Sequence, residues 1–259
     1  MVIIPEVIKI AKATALEAGK LIMEIYNSGN FSIETKGSGF PVTIADTTAN
    51  RTIKQHLNVT GFPVLSEEDS TIDYLKRKSW EYFWLIDPLD GTKEFINRNG
   101  EFTINIALIK HQTPVAGVIY APVSNKLYAG SKETGVYKIE NNKEVLLLPL
   151  AKRKTFSGLA ACESLRVVAS RSHMSPETKV FIDRFKNVTL KTMGSALKFM
   201  LLLEDEADIY PRFGTTMEWD TAAAHAILNA SNRGIYQTDL SSELTYNKTD
   251  LRNPTFIAF

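Results

Sequence analysis

An uninterrupted apolar segment, residues 82–86 (YFWLI), constrains the fold of this chain more than any other feature. Apolar side chains at every position are typical of a strand that is buried on both faces. The segment leads directly into Asp87, and a carboxylate beside a core is costly unless another group pairs with it. We expect Pro88 to end the strand and Gly91 to permit an unusual backbone turn after it.

The segments that follow predict strands that succeed one another directly. Apolar and polar side chains alternate over residues 102–108, and strand-like runs recur at residues 115–120 and 126–129. Because no long helical pattern separates them, these strands favour a mixed or antiparallel sheet covered by helices over a doubly wound parallel sheet. The predicted fold class is therefore α/β in the broad sense, of the α+β type.

Two helices are predicted before this sheet. Apolar residues over positions 5–26 recur at spacings of three and four, which is the stripe of an amphipathic helix, and Pro5 suits its first turn. A polar helix is expected over about residues 47–57. This second helix would place Asp46 at its start.

The second half of the chain alternates strands with helices. Strands are predicted at residues 165–170 and 207–212, and helices are predicted to begin at Ser175, Ser195 and Asp220. The pattern changes between about residues 140 and 160. We therefore predict an N-terminal α+β domain over residues 1–150 and a smaller C-terminal α/β domain over residues 151–259.

The charge balance excludes a strongly polyanion-seeking protein. The 259 residues include 30 Lys+Arg and 29 Asp+Glu, so the formal net charge is +1. The basic triplets at residues 76–78 and 152–154 are isolated, and nucleic acid is not an expected partner. Nothing in the sequence indicates an oligomeric state.

The N-terminus and the cysteine count predict a cytoplasmic protein. Glu6 and Lys9 interrupt the apolar start before a signal sequence forms, and no run approaches the about 20 apolar residues that span a bilayer. Cys162 is the single cysteine, so neither an internal disulfide nor a Cys-rich zinc site is possible.

Carboxylates cluster around the exit of the apolar strand. Asp87 and Asp90 lie three residues apart with a main-chain carbonyl between them, and such hard oxygen ligands suit Mg²⁺ or Ca²⁺. Glu67 and Asp220 bring further carboxylates from elsewhere in the chain. Taken alone, Asp46 and Asp220 would be helix N-caps and Glu67 would lie in a solvated loop. No EF-hand, P-loop or G-x-G-x-x-G pattern occurs.

Together these motifs resemble those of the lithium-sensitive, Mg²⁺-dependent phosphatases related to inositol monophosphatase. The resemblance is carried by LSEE (residues 65–68), WLIDPLDGT (84–92) and WDTAA (219–223). The extensions KEFI (93–96) and NGEFT (99–103) resemble the 3'(2'),5'-bisphosphate nucleotidases within this superfamily. The resemblance implies a layered αβαβα sandwich.

The resemblance also implies two Mg²⁺ ions. Glu67, Asp87 and the Leu89 carbonyl would hold one ion, and Asp87, Asp90 and Asp220 the second; a third, weaker ion is expected near Glu67. Metals about 3.5–4 Å apart can activate a water and stabilise the departing oxygen. The implied catalytic residues, which relay a proton or hold the attacking water, are Asp46, Thr92 and Glu67.

Substrate binding is implied for both halves of the chain. Gly91 and Thr92 would open a short helix whose free N–H groups favour phosphate. In the nucleotidases a histidine approaches the adenosine and neighbouring residues surround the second phosphate; the counterparts here are His173, Gly194, Ser195, Lys198 and Arg212. Ser195 and Lys198 are expected to share one helix face. Read without the family, His173 would be a surface or capping residue and Lys198 a solvated charge.

The implied activity is removal of the 3'-phosphate of adenosine 3',5'-bisphosphate, which yields AMP and clears a by-product of sulfate activation. The corresponding 5'-phosphosulfate is a second expected substrate, and Li⁺ an expected inhibitor. One alternative is an inositol monophosphatase, against which Lys198 and Arg212 count. Another is a catalytically silent protein that binds nucleotide or Mg²⁺, against which the complete set of acids counts.

Overall fold

The computed structural model describes residues 2–29, 31, 34–35, 41–69, 71–171 and 174–259. Among these residues the α-helices are α1 (Ile4–Ser28), α2 (Ile44–Leu57), α3 (Tyr74–Arg77), α4 (Thr92–Ile96), α5 (Phe156–Ala160), α6 (Pro176–Ile182), α7 (Leu197–Leu203) and α8 (Glu218–Ala230). Short 3-10 turns follow α2 and precede α3, at Asn58–Thr60 and Glu67–Asp69.

The strands are β1 (Glu34–Thr35), β2 (Pro41–Val42), β3 (Val64–Ser66), β4 (Tyr82–Asp90), β5 (Thr103–Lys110), β6 (Thr113–Ala121), β7 (Lys126–Ser131), β8 (Gly135–Glu140), β9 (Lys143–Leu147), β10 (Leu165–Ser170), β11 (Val188–Met193), β12 (Tyr210–Arg212), β13 (Ile235–Gln237) and β14 (Phe256–Ala258). Strands β5 to β9 follow one another directly, and the later strands mainly alternate with helices.

Within the described residues, seven strands form one large sheet in the order β3-β4-β5-β6-β7-β8-β9. β3 pairs with β4 in parallel, and the pairs from β4 to β9 are antiparallel. The prediction of a mixed sheet is confirmed. Its apolar strand is buried on both faces, because Phe83 and Leu85 enter one core while Trp84 and Ile86 enter the other.

Helical and sheet layers alternate across the molecule. α1 and α2 cover one face of the large sheet and α8 covers the other, while α7 packs beside α8 in the same core. Smaller sheets, β10-β11 and β12-β14-β13, follow behind α7, and residues of α5 and α6 pack on these sheets in a third core. The expected layered α+β architecture is confirmed.

The prediction that Pro88 ends the strand is wrong. β4 continues to Asp90, and its register against β5 shifts between Asp87 and Asp90. A bulge leaves residues unpaired in the ladder, so the missing N–H of Pro88 forfeits no interstrand hydrogen bond. The bulge turns the end of a core strand into a site where two carboxylates point out of the sheet together.

Other boundaries differ by a few residues for local reasons. α2 begins at Ile44, three residues before the predicted start, because Thr43 is its N-cap and Asp46 completes a capping box. The helix predicted from Ser195 begins at Leu197, since Ser195 has a left-handed backbone with φ 41°. The strand predicted at 207–212 is limited to Tyr210–Arg212.

α8 belongs to the second half by sequence but packs on the large sheet of the first. At Gly117 on β6, an added Cβ would lie 2.2 Å from the Ala223 carbonyl oxygen, so the helix and the strand are in direct backbone contact. The division near residue 150 stays a prediction. Over the part of the chain that is described, none of the helices combines the length and apolar character that crossing a membrane requires.

Candidate active site

Three aspartates converge where β4 ends and α8 begins. Asp87, Asp90 and Asp220 each place one carboxylate oxygen within 4.8 Å of the others. The bulge of β4 positions the first two, and the first turn of α8 positions the third. Residues far apart in sequence thus form one acidic cluster, which we call the aspartate cluster.

Burial and mutual repulsion disfavour full ionisation of this cluster. Burial raises the pKa of Asp87 well above its ordinary value, and the charges of Glu67, Asp90 and Asp220 raise it further. Burial also raises the pKa of Asp220, and the charges of Asp90 and Glu67 raise it further. Burial raises the pKa of Asp90 to about 6, although nearby Lys198 opposes the shift. A divalent cation would offset this repulsion, and the donor set consists of the hard oxygens that Mg²⁺ prefers.

Main-chain and amide groups orient the acids. The Leu89 N–H donates to Asp87 Oδ1 at 3.1 Å, and the Met217 N–H donates to Asp220 Oδ2 at 2.8 Å. The Asn105 side-chain amide donates to Asp90 Oδ2 at 3.2 Å. Asn105 was not identified from the sequence, although a buried polar residue in an alternating strand was a signal for it.

Glu67 lines the same cavity as the aspartate cluster. It follows β3, whose parallel pairing with β4 brings it beside Asp87. Its neighbour Asp69 has a different environment, because Lys54 Nζ donates to Asp69 Oδ2 at 2.7 Å. The reading of this whole segment as a solvated loop therefore does not apply to Glu67.

Thr92 and Asp46 form a hydrogen-bonded pair at the edge of the cluster. Thr92 Oγ1 donates to Asp46 Oδ1 at 3.0 Å. Asp46 Oδ2 accepts from the Thr43 N–H at 2.7 Å and from the Thr43 hydroxyl at 2.6 Å. Asp46 therefore caps α2 with one carboxylate oxygen and binds Thr92 with the other. Its side chain is buried, at 1% exposure.

Gly91 is the N-cap of α4, which begins at Thr92, and it has a positive φ of 97°. A Cβ at this position would lie 3.2 Å from the Glu101 carbonyl oxygen and 3.3 Å from the Phe102 Cβ. Both the backbone angle and this close packing favour glycine. The turn places Thr92 two residues after Asp90, the second aspartate of β4.

The predicted substrate residues line the same cavity of about 600 Å³ as the aspartate cluster; among the described residues they are Gly91, Thr92, Gly194, Ser195, Lys198 and Arg212. His173 lies outside the described residues. Lys198 is 6% exposed, which differs from a solvated helix charge. Burial lowers the pKa of Lys198 to about 8, although Asp90 opposes the shift.

The expectation that Ser195 and Lys198 share a helix face is wrong, because Ser195 precedes α7. They are joined instead by a hydrogen bond from Lys198 Nζ to the Ser195 carbonyl oxygen at 2.6 Å. The buried Ser195 Oγ has no hydrogen-bond partner among the residues that the structure describes. A buried hydroxyl in this state is suited to a polar ligand.

Comparison with known proteins identifies the family of the chain. Residues 4–255 match the inositol monophosphatase family. The chain is 41% identical over 238 residues to the 3'(2'),5'-bisphosphate nucleotidase CysQ of Buchnera aphidicola, covering 90% of this chain and 84% of the relative. It is 42% identical over 225 residues to CysQ of Escherichia coli K12, covering 86% and 87% respectively.

Solved structures give the same result. The crystal structure of CysQ from Bacteroides thetaiotaomicron, a bacterial member of the inositol monophosphatase family, has a TM-score of 0.82 and 44% identity, covering 97% of this chain and 96% of that one. A staphylococcal inositol monophosphatase-1 at 18% identity has a TM-score of 0.76, covering 100% and 91%, and shows the fold alone. The resemblance read from the motifs is confirmed, and the chain belongs to the inositol monophosphatase family.

Proposed function

We propose that the protein is a Mg²⁺-dependent phosphomonoesterase that removes the 3'-phosphate of adenosine 3',5'-bisphosphate and yields AMP and phosphate. The observation that carries this proposal is the layout of the cavity. An aspartate cluster suited to cations and a buried Lys198 suited to an anion line the same cavity. The names of the bacterial CysQ relatives support the same substrate.

The residues that would hold Mg²⁺ are Glu67, Asp87, the Leu89 carbonyl, Asp90 and Asp220. Their carboxylates carry a formal charge of −4 when ionised, so two divalent ions balance them; a third ion is the weakest of the set. When bound, Mg²⁺ neutralises phosphate charge and makes water a stronger nucleophile at neutral pH. The donor chemistry of these oxygen ligands supports Mg²⁺ over softer metals.

Thr92 and Asp46 would orient the attacking water and receive its proton. Because the Thr92 hydroxyl donates to Asp46, its oxygen lone pairs are left to accept a hydrogen bond from water. As the water attacks phosphorus, its proton passes to Thr92 Oγ1 and the Thr92 proton passes to Asp46 Oδ1. Oδ1 is the receiving oxygen because it already accepts the Thr92 hydroxyl.

Lys198, Arg212 and Ser195 would bind the second phosphate of the substrate. Lysine acts on phosphate as a point charge, and arginine can donate two parallel hydrogen bonds. The same groups accommodate a 5'-phosphosulfate, which makes that nucleotide a second substrate of the proposal. His173 would contact the adenosine. We assign the reaction to the cytoplasm, in keeping with the single cysteine.

Two alternatives differ from the proposal at particular residues. An inositol monophosphatase would share the aspartate cluster, but its substrate carries one phosphate and leaves the buried Lys198 without an anion to bind. A catalytically silent binding protein would have no use for the hydrogen-bonded pair of Thr92 and Asp46. Both observations favour the nucleotidase.

The test is a side-by-side assay of phosphate release from adenosine 3',5'-bisphosphate and inositol 1-phosphate in Mg²⁺, repeated with Li⁺. The proposal expects preference for the nucleotide and inhibition by Li⁺. Preference for the inositol ester would overturn the substrate assignment. Release from neither compound would favour the silent alternative.

A further inference from the structure

The Glu101 carboxylate connects the segment after α4 with the second half of the chain. Its Oε2 accepts the Gly194 N–H at 2.7 Å. Arg171 donates to the same carboxylate through Nε at 2.9 Å and Nη2 at 2.6 Å. The Glu101 side chain is 17% exposed and its bond to Gly194 is partly buried, whereas the Arg171 side chain is 46% exposed, so water reaches the Arg171 side of this contact more easily.

The backbone of Glu101 lies between two glycines that the site requires. A Cβ on Gly194 would lie 2.6 Å from the Glu101 carbonyl oxygen and 2.8 Å from the Glu101 Cβ. A Cβ on Gly91 would lie 3.2 Å from the same carbonyl oxygen. Glu101 therefore packs simultaneously against the turn that carries Thr92 and against Gly194.

Gly194 begins the segment of residues 194–198, in which Gly194, Ser195 and Lys198 line the cavity. We call this segment, which ends in the first turn of α7, the substrate loop. Ser195 follows in a left-handed conformation with φ 41°, and its carbonyl oxygen accepts the hydrogen bond from Lys198 Nζ. Arg171 also donates to the Thr192 carbonyl oxygen at 3.2 Å, just before this loop. The Glu101 carboxylate thus binds both Gly194, the first residue of the substrate loop, and Arg171, which contacts the strand just before the loop.

We propose that Glu101 is a positioning residue that fixes the substrate loop against the metal-binding half and thereby sets the preference for a doubly phosphorylated nucleotide. It acts through Gly194 and Arg171 and does not contact the reacting phosphate. The inference rests on the proposed function. An ordinary surface ion pair would have no such effect, and the exposed pair Lys191–Glu206 in the same half provides the comparison.

The test compares Glu101→Ala with the wild type on adenosine 3',5'-bisphosphate and on adenosine 3'-monophosphate, which lacks the second phosphate. Loss of a charged hydrogen-bond partner predicts a KM for the bisphosphate raised about tenfold or more, with kcat within about threefold. The KM of the monophosphate, or its inhibition constant as a competitor, should change less than about twofold, because the acids and Thr92 are untouched. Glu101→Gln keeps an acceptor and should give a smaller rise.

Further variants separate positioning from folding. Glu206→Ala should leave both nucleotides unaffected. Arg171→Ala should raise the KM for the bisphosphate selectively. The double variant Arg171→Ala/Glu101→Ala should raise this KM by less than the product of the two single-variant factors. Thermal unfolding midpoints identify any variant that has lost its fold, in which case Glu101→Gln provides the kinetic comparison.

Three results would overturn the inference. Equal losses on both nucleotides, or a loss confined to kcat, would show that Glu101 does not act on recognition of the second phosphate. A wild-type protein that releases no phosphate from the bisphosphate would overturn the proposed function and the role of Glu101 with it. If the wild type is active on the bisphosphate but the Glu101 variants lose activity equally on both nucleotides, only the proposed role of Glu101 would be overturned.

Discussion

Thr92 and Asp46 lie 46 positions apart in the sequence, yet the Thr92 hydroxyl donates to Asp46 Oδ1 at 3.0 Å. The bond joins the start of α2 to the turn that ends β4, so both elements must be correctly placed for it to form. In the proposed mechanism this bond would define the direction in which a proton leaves the attacking water.

Asp46→Asn should lower kcat by about 10²–10⁴-fold with little change in KM, because an amide accepts a hydrogen bond but not a proton. Steady-state kinetics on the bisphosphate nucleotide measure the effect. Thr92→Ser keeps the hydroxyl and is the matched control, with kcat expected to stay within about tenfold. A near-normal kcat for Asp46→Asn would remove Asp46 from the proton relay.

Asp90→Asn should have opposite effects on activity and on the stability of the metal-free protein. Turnover should fall at least about 100-fold, because one ligand of the proposed ions is lost. In a chelator, the unfolding midpoint should rise, since burial raises the pKa of Asp90 against the opposing charge of Lys198, and its ionised form is costly. Kinetics and thermal unfolding in EDTA measure both. A lower midpoint in EDTA would contradict the electrostatic description.

Several elements of the fold could be predicted from the sequence because their local residue pattern determines their structure. The apolar run at 82–86 requires burial on two faces, and the structure places its residues alternately in two cores. The alternation over 102–108 gives the neighbouring antiparallel strand. Ser175 before Pro176 is a strong N-cap signal, and α6 begins there.

Other features depend on contacts that no local pattern contains. Pro88 usually interrupts a strand, but the β4–β5 register shift accommodates it. Ser195 lies outside α7 because its backbone is left-handed, in the loop that Glu101 holds from 93 positions away. Glu101 resembles an ordinary surface acid in the sequence, and its partners Gly194 and Arg171 are visible only after folding.

Stability at low pH should depend on Asp208. Burial raises its pKa, but hydrogen bonds and charge from Arg166 outweigh burial and bring the pKa down to about 2 from 3.8. A carboxyl group whose pKa is lower in the folded state stabilises the fold at pH values above its unfolded pKa. This contribution is lost as the pH falls from about 4 to about 2. The wild type should therefore lose stability over that interval.

Asp208→Asn tests this contribution. At pH 7 its free energy of unfolding should be lower by about 1 kcal/mol, a value reduced because the Arg166 side chain is partly exposed to solvent. Near pH 2 the variant and the wild type should converge. Denaturant titrations at several pH values measure the difference, and a gap that stays constant down to pH 2 would contradict the assignment.

Gly117→Ala should affect activity from a position outside the cavity. The new Cβ would meet the Ala223 carbonyl oxygen at 2.2 Å, so α8 must shift, and α8 carries Asp220. Overpacking of this kind costs about 1–3 kcal/mol. Thermal unfolding and kinetics should both show losses. Gly61→Ala is the comparison, since nothing lies within 4 Å of its Cβ and only its φ of 71° is strained.

Calorimetric titration of Mg²⁺ into the metal-free protein tests the central claim most directly, because the proposed activity requires that the aspartate cluster binds divalent cations. The account predicts saturable binding near neutral pH at millimolar or lower Mg²⁺, and a marked loss of binding in Asp90→Asn. No saturable heat from the wild type, or equal binding by both proteins, would contradict it.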